Sequence, residues 1–300
     1  MPDRIAVIAL GGNAITTASR TFSSQYEAVR AAARGIANLA KKYRLVVTHG
    51  NGPQVGDALL RNERAAHLVP PLPLHACVAE TQGMLGAMIQ AALSERLGRD
   101  AKIASLVTKV EVSTKDPALG NPSKPVGPTY AKRDLEALGT FPFREVSPGK
   151  YRRVVPSPDP VSVLEAGAVK KLVDSDFIVI ACGGGGVPVT GDMSFVDAVI
   201  DKDLASERLA TAIGASLFVS LTDVEGVYMD FWGRRRLLKK ASADEMKKLL
   251  AAGEFEEGSM EPKVRAAVRF AENTGGKAVI ASLRKTAQAA SLQSGTVIYR

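Results

Sequence analysis

The chain has 300 residues, 46% hydrophobic and 23% charged, an ordinary balance for a globular protein and long enough for one large domain or two lobes. A net charge of +8, from 39 Lys and Arg against 31 Asp and Glu, suits an anionic substrate. Two cysteines, Cys77 and Cys182, exclude a disulfide framework and a cysteine metal site. The apolar run of residues 5–10 is too short for a signal sequence or a membrane span, so a cytoplasmic protein with no membrane partner is expected.

Residues 4–10 read as a buried strand that runs straight into Gly11-Gly12-Asn13. Residues 26–43 are helical, with Val29, Ala33, Ile36 and Ala40 on one face. A second strand, 45–48, ends in His49-Gly50-Asn51-Gly52-Pro53, and helices follow from about 54 and over 75–97. Residues 102–107 form a third strand. Strands alternating with helices predict an α/β fold with a mostly parallel sheet.

Residues 109–160 break this rhythm with many prolines, one helical pattern at 131–138, and a hairpin of 143–146 with 151–155. With few large apolar residues, the stretch reads as a small protruding insert rather than a domain with its own core. The α/β pattern returns at 161, with strands at 177–182, 216–221, 278–281 and 296–299 and a helix from about 262. We place a lobe boundary near 189–195, giving an acceptor lobe over 1–190 and a nucleotide lobe over 191–300.

Three strands end in small, glycine-rich turns: Gly11-Gly12-Asn13, Gly50-Asn51-Gly52 and residues 183–186. Ligands of open α/β sheets sit beyond the carboxyl ends of the strands, and such turns bring backbone N–H groups close to phosphate or carboxylate. Any one turn is compatible with ordinary structure. Asp201-Lys202-Asp203 opens a helix, with Asp201 placed to cap it and Lys202 at the end that attracts anions. Lys124 lies in a Pro/Gly-rich loop, Asn121 to Pro128, and Lys263 follows Ser259-Met260-Glu261-Pro262 at another helix start. Phosphoryl transfer asks for such positioning and positive charge rather than covalent chemistry.

Other chemistries find little support. No GxxxxGK[ST] occurs, and Val55 and Pro53 spoil a dinucleotide fingerprint after Gly50. There is no GxSxG or HExxH. Cys77 and Cys182 sit in apolar company as core residues, His49 reads either as shaping the second glycine turn or as a packed, hydrogen-bonded structural histidine, and His67 and His75 have no evident partner. The run Phe231-Trp232-Gly233-Arg234-Arg235-Arg236 belongs to no nucleic-acid module and reads as a solvated loop, so no nucleic-acid partner is expected.

Taken together, the segments ALGGNAI, THGNGPQVG, NPSKPVGPTY, YRRVVPSP, ACGGGGVPV, AVIDKDLAS, LTDVEGVY and GSMEPK resemble the carbamate kinases of the amino acid kinase superfamily over nearly the whole chain. The resemblance implies a three-layer αβα sandwich with a mostly parallel central sheet, a small protruding subdomain and a homodimer. It implies reversible phosphoryl transfer between MgATP and carbamate, giving ADP and carbamoyl phosphate, with Mg²⁺ carried by the nucleotide phosphates and no protein metal site. In many members the useful direction is ATP synthesis, often after arginine catabolism. By the same resemblance Lys202 and Lys263 contact the phosphoryl group, Asp203 holds both lysines, and Lys124 closes over the site. Gly11, Gly12, Asn13, Gly50, Asn51, Gly52, Gly184 and Gly185 present donors to phosphate and carbamate, and Asp223, Val227, Tyr228, Met229 and Met260 flank the nucleotide. Glu261 stands where glycine is common, and Thr129 where an aromatic is common. Competing readings are another amino acid kinase acting on a larger carboxylate such as acetylglutamate, and a non-catalytic nucleotide sensor; retention of all four charged residues argues against the sensor.

Overall fold

The structure, a computed structural model, describes residues 2–12, 15, 19–136, 141–230, 235–256 and 258–300. The chain runs β1 (Ile5–Leu10), α1 (Phe22–Leu39), β2 (Arg44–His49), α2 (Gly52–Ala65), α3 (Leu74–Leu97), β3 (Ile103–Ser105) and β4 (Lys109–Val112). Next come β5 (Lys124–Ala131), β6 (Phe143–Ser147), β7 (Lys150–Val155), β8 (Pro160–Val163), α4 (Ala166–Asp174), β9 (Ile178–Ile180) and β10 (Val187–Val189). The remainder is α5 (Lys202–Ala212), β11 (Leu217–Thr222), β12 (Tyr228–Met229), β13 (Arg236–Leu237), β14 (Lys240–Ser242), α6 (Ala243–Ala251), α7 (Met260–Thr274), β15 (Lys277–Ser282), α8 (Thr286–Ala290) and β16 (Thr296–Tyr299).

Eight strands form one sheet in the order β14-β16-β15-β11-β1-β2-β9-β3, and only the β15–β16 pairing is antiparallel. In β1, Ile5, Val7 and Ala9 point into one core, and Ala6, Ile8 and Leu10 into the other. A strand turns successive side chains to opposite faces, so an unbroken apolar run fits only a sheet covered on both sides. Helices α4, α5, α6 and α7 pack against the first core; α1, α3 and α8 pack against the second. The result is the expected three-layer αβα sandwich.

From 109–160, β4 lies between β10 and β8 in a second sheet, while β5, β7 and β6 form a separate antiparallel sheet. The β6–β7 hairpin stands where the sequence placed it. Two expectations here are corrected. Residues 124–128, read as part of a loop, belong to strand β5: it is an edge strand, where Pro125 and Pro128 cost no sheet hydrogen bond, and its register shifts around Gly127, whose φ is +71°. The helix expected over 131–138 is a single 3₁₀ turn at Lys132–Asp134, since Ala131 still belongs to β5; residues 137 and 138 lie outside the described residues.

Helix α2 crosses β5 so closely that a Cβ added to Gly56 would lie 1.9 Å from the Cα and N of Gly127. Val55 and Leu59 of α2 meet Val126 of β5 and Val155 of β7 in a small third core. The approach is between two backbones, and neither can yield without moving its whole element. Gly56→Ala is therefore expected to lower the unfolding free energy by about 1–3 kcal/mol, measured as an earlier midpoint in urea.

Candidate active site

Register brings the strand ends to one rim. Leu10 of β1 stands opposite His49 of β2 and Leu221 of β11, so Gly11, Gly50 and Thr222 stand side by side at the rim of the sheet. Strand β9 pairs with β2 and sends Cys182, at φ +50°, and the glycines after it to the same edge. Together they enclose a cavity of ≈ 330 Å³ lined by Gly11, Gly12, Gly50, Asn51, Gly52 and Gly184, with Lys124, Lys202 and Lys263 on its other walls. Gly184, at φ +62°, rests on the Asn51 side chain, where an added Cβ would come within 2.1 Å of Nδ2. Asn51 is itself fixed by donating Nδ2–H to Thr81 Oγ1 at 2.9 Å.

Two of the expected backbone donors are corrected. The Gly50 N–H is already given to Leu10 O at 3.0 Å and the Gly185 N–H to Cys182 O at 3.1 Å. Gly50 serves by close approach to Gly12, and Gly185, which does not line the cavity, by packing against the Ile200 backbone. Asn13 lies outside the described residues.

The start of α5 carries the charge. Asp201 caps it, Oδ1 accepting the Asp203 N–H at 2.8 Å, and its other oxygen accepts from Lys124 Nζ across from β5. One turn deeper, Asp203 is 1% exposed. Its Oδ1 accepts from Lys202 Nζ at 2.7 Å and from Ser220 Oγ at 2.7 Å, and its Oδ2 from Lys263 Nζ at 2.8 Å. Burial would raise the Asp203 carboxyl, but the two ammonium groups outweigh it and hold the acid far below the usual carboxylate range. Burial also brings Lys202 down to about 8, with Asp203 resisting. Lys263 is likewise opposed by burial but faces both Asp203 and Asp201, and it is raised. Lys202 and Lys263 are therefore both ammonium at neutral pH.

Two further cavities open from the first. One, of ≈ 600 Å³, is lined by Asp223, Tyr228 and Met260 with Phe255 and shares Thr222 and Ser259 with the glycine-rich cavity. Val227 is not on its wall. It is fully buried in the core, its N–H is donated to Thr296 Oγ1 at 2.8 Å, and its C=O accepts from Leu238. Met229 sits beside Tyr228 on β12 without lining this cavity. The other, of ≈ 690 Å³, lies under the β6–β7 hairpin and includes Arg144, Arg152 and Arg265. Glu261 lines it and faces Arg265 Nε at 3.4 Å rather than Lys263; Thr129 is exposed on β5.

The remaining polar and sulfur groups take structural places. Burial pushes the Cys77 thiol up to about 11 and the Cys182 thiol up to about 12, which leaves neither a nucleophile. Burial lowers His49 to about 4, so the ring is neutral, with Nδ1 3.1 Å from Gly50 O. His75, for which no partner was expected, meets Asp197 through Nδ1 at 2.8 Å and stacks on Phe195. Sequence reasoning missed Ser220 and Arg152. Ser220 had a signal, a hydroxyl inside the otherwise apolar strand β11; Arg152 had only its alternation in β7.

Removing Asp203 strands two buried ammonium groups. Asp203→Ala is expected to cost about 3–5 kcal/mol of unfolding free energy, read by calorimetry or denaturant, and a loss below 1 kcal/mol would show that the two lysines do not depend on it.

The Amino acid kinase family profile matches residues 4–282. The chain is 42% identical to the carbamate kinase of Pyrococcus horikoshii over 313 residues, covering 99% of each. It is 45% identical to that of Thermococcus kodakarensis over 312 residues, covering 98% of each. The carbamate kinase of Giardia lamblia bound to AMP-PNP superposes with a TM-score of 0.90 at 38% identity, over 99% of this chain and 98% of that one. With its glycine-lined sheet rim and its lysine–aspartate cluster, the chain belongs to the amino acid kinase family.

Proposed function

We propose that the chain is a carbamate kinase, catalysing phosphoryl transfer between ATP and carbamate. The observation that carries this reading is the pair of buried ammonium groups, Lys202 and Lys263, fixed on one carboxylate and turned to a cavity whose opposite wall is backbone glycine. The full-length similarity to proteins named carbamate kinase supports the same substrate.

In the ATP-forming direction an oxygen of the ADP β-phosphate attacks the phosphorus of carbamoyl phosphate. The bond from phosphorus to the carbamoyl oxygen breaks, and its electron pair leaves on carbamate. In the reverse direction the carbamate oxygen is already anionic, so no general base is required. The transferring group is a loose, metaphosphate-like unit with charge on its oxygens. Lys202 and Lys263 neutralise that charge, Asp203 keeps both aligned, and Lys124 reaches the group from β5. Gly11, Gly12, Gly52 and Gly184 let the acceptor and phosphates approach the sheet rim. We place the adenosine end of the nucleotide in the cavity of Asp223, Tyr228 and Met260.

Mg²⁺ fits this scheme as a passenger on the nucleotide phosphates. Asp201 and Asp203 are spent on lysines, whereas Asp223, at the junction of the two cavities, accepts from Thr222 Oγ1 at 3.0 Å and forms no ion pair among the described residues, and so is the carboxylate available to the ion's hydration shell. Bound there, the ion supplies further neutralisation of phosphate charge. A homodimer, a cytoplasmic setting and service in arginine catabolism belong to the same reading. Met84 on α3 and Val107 after β3 are exposed apolar side chains of the kind a dimer covers. Among the described residues no helix is long and apolar enough to cross a membrane.

Purified protein is expected to form ATP from ADP and carbamoyl phosphate with Mg²⁺, and not from acetylglutamyl phosphate. Lys202→Ala should lower kcat by about 100-fold or more; a near-normal kcat removes Lys202 from the chemistry. The pH profile has a defined sign. Lys202 loses its proton as the pH rises through about 8, so kcat/KM, which reports the free enzyme, should decline above that pH. The plateau of kcat should extend to higher pH, because a bound phosphate stabilises the ammonium form.

A further inference from the structure

Arg152 differs from the other cations of the site. Lys124 rests on Asp201, and Lys202 and Lys263 rest on Asp203. Arg152 lines both the ≈ 330 Å³ cavity and the ≈ 690 Å³ cavity beside it. Its Nε donates to Gly127 O at 3.1 Å. Among the described residues its two Nη groups meet no protein acceptor, and no carboxylate forms an ion pair with it. The neighbouring Arg153, turned the other way by the alternation of β7, shows the contrast: it pairs with Glu63 and covers the Phe141 ring at 3.5 Å.

A half-buried guanidinium with no counter-ion is an unfavourable arrangement. Burial works against its charge, and repulsion from Arg20 adds to that, with only Asp57 opposing. A ligand that brings its own negative charge removes the deficit. The location narrows which ligand. Arg152 shares its cavity with Gly52, Pro53 and Pro125 and takes no part in the cavity of Asp223, Tyr228 and Met260.

We propose that Arg152 binds the acceptor's oxyanion, its Nη groups donating to oxygens of carbamate or of the acyl phosphate made from it, while Nε stays on Gly127. A guanidinium presents parallel N–H groups to a planar carboxylate or to a phosphate, which an ammonium cannot do. Because Gly127 belongs to β5, Arg152 is tied to the strand that carries Lys124, and the two cations act on the acceptor from one element. This assignment rests on the carbamate kinase reading.

The test is calorimetric titration of the full chain with phosphonoacetamide, the methylene analogue of carbamoyl phosphate that cannot transfer its phosphoryl group, beside titration with ADP. Arg152→Gln is expected to weaken phosphonoacetamide about tenfold or more with ADP little changed, and Arg152→Lys to recover part of the loss. In turnover, KM for carbamoyl phosphate should rise by a larger factor than kcat falls. Unchanged phosphonoacetamide affinity in Arg152→Gln overturns the proposal, and so does an equal loss for both ligands. Should Arg152→Gln not fold, Arg152→Lys with an unchanged Tm carries the same comparison. A wild-type chain that binds phosphonoacetamide through Arg152 yet makes no ATP upholds this anion site and defeats the carbamate kinase reading instead.

Discussion

The carboxylate of Asp203 accepts from Lys202 on one oxygen and from Lys263 on the other, with Ser220 as a third donor. None of these charges is stable alone at such depth, because the interior solvates an ion far less than water does. Together they are, and the group keeps one surplus positive charge. Each partner arrives on a different element: Lys202 and Asp203 on α5, Lys263 on α7 and Ser220 on β11. The ion cluster thus joins two helices of one layer to the central strand beside β1, and its geometry holds only while those three elements keep their places. Asp201 and Lys124 add a neutral pair, and Arg152 a further positive charge. Four cations against three carboxylates, Asp223 being the third, leave the cavity with one net positive charge, a local excess that favours an anionic ligand.

The sheet supplies the other half of the site by geometry alone. Parallel strands deliver their carboxyl ends to one edge, so turns far apart in the chain become neighbours. The turns must then be narrow. A Cβ on Gly11 would lie 2.9 Å from Leu221 O, so any side chain there would push β1 and β11 apart at the point where the cavity begins. Space rather than hydrogen-bonding capacity is what several of these glycines provide, as the occupied N–H groups of Gly50 and Gly185 show.

That distinction marks how far the residues could be read without coordinates. Buried strands such as β1, β11 and β16 were legible from their apolar runs, and the charged start of α5 from the capping pattern of Asp201 and Asp203. Strand β5 was not: its two prolines and Gly127 carry loop signals, and only its edge position and bulge make them acceptable in a sheet. A glycine's sequence position predicts a tight turn but not whether its N–H is free, which depends on register with a neighbouring strand. Val227 beside Tyr228 looked equivalent to it, yet alternation turns one into the core and the other toward the cavity. Arg152 was one of 39 basic residues, and nothing in a single chain distinguishes the cation that lacks a carboxylate from those that have one.

Asp201 ties these features together. One of its oxygens caps α5 through the Asp203 N–H and so sets the position of the buried cluster; the other accepts from Lys124 and so fixes where β5 lies over the cavity. On the α2 side the antiparallel sheet of β5, β7 and β6 is joined to the body by the small third core, by backbone contact at Gly56 and by the Arg153–Glu63 ion pair. On the α5 side the Lys124–Asp201 ion pair bridges the cavity itself. The two oxygens of one carboxylate thus fix the outer wall and the buried cluster separately, one through Lys124 and one through the Asp203 N–H.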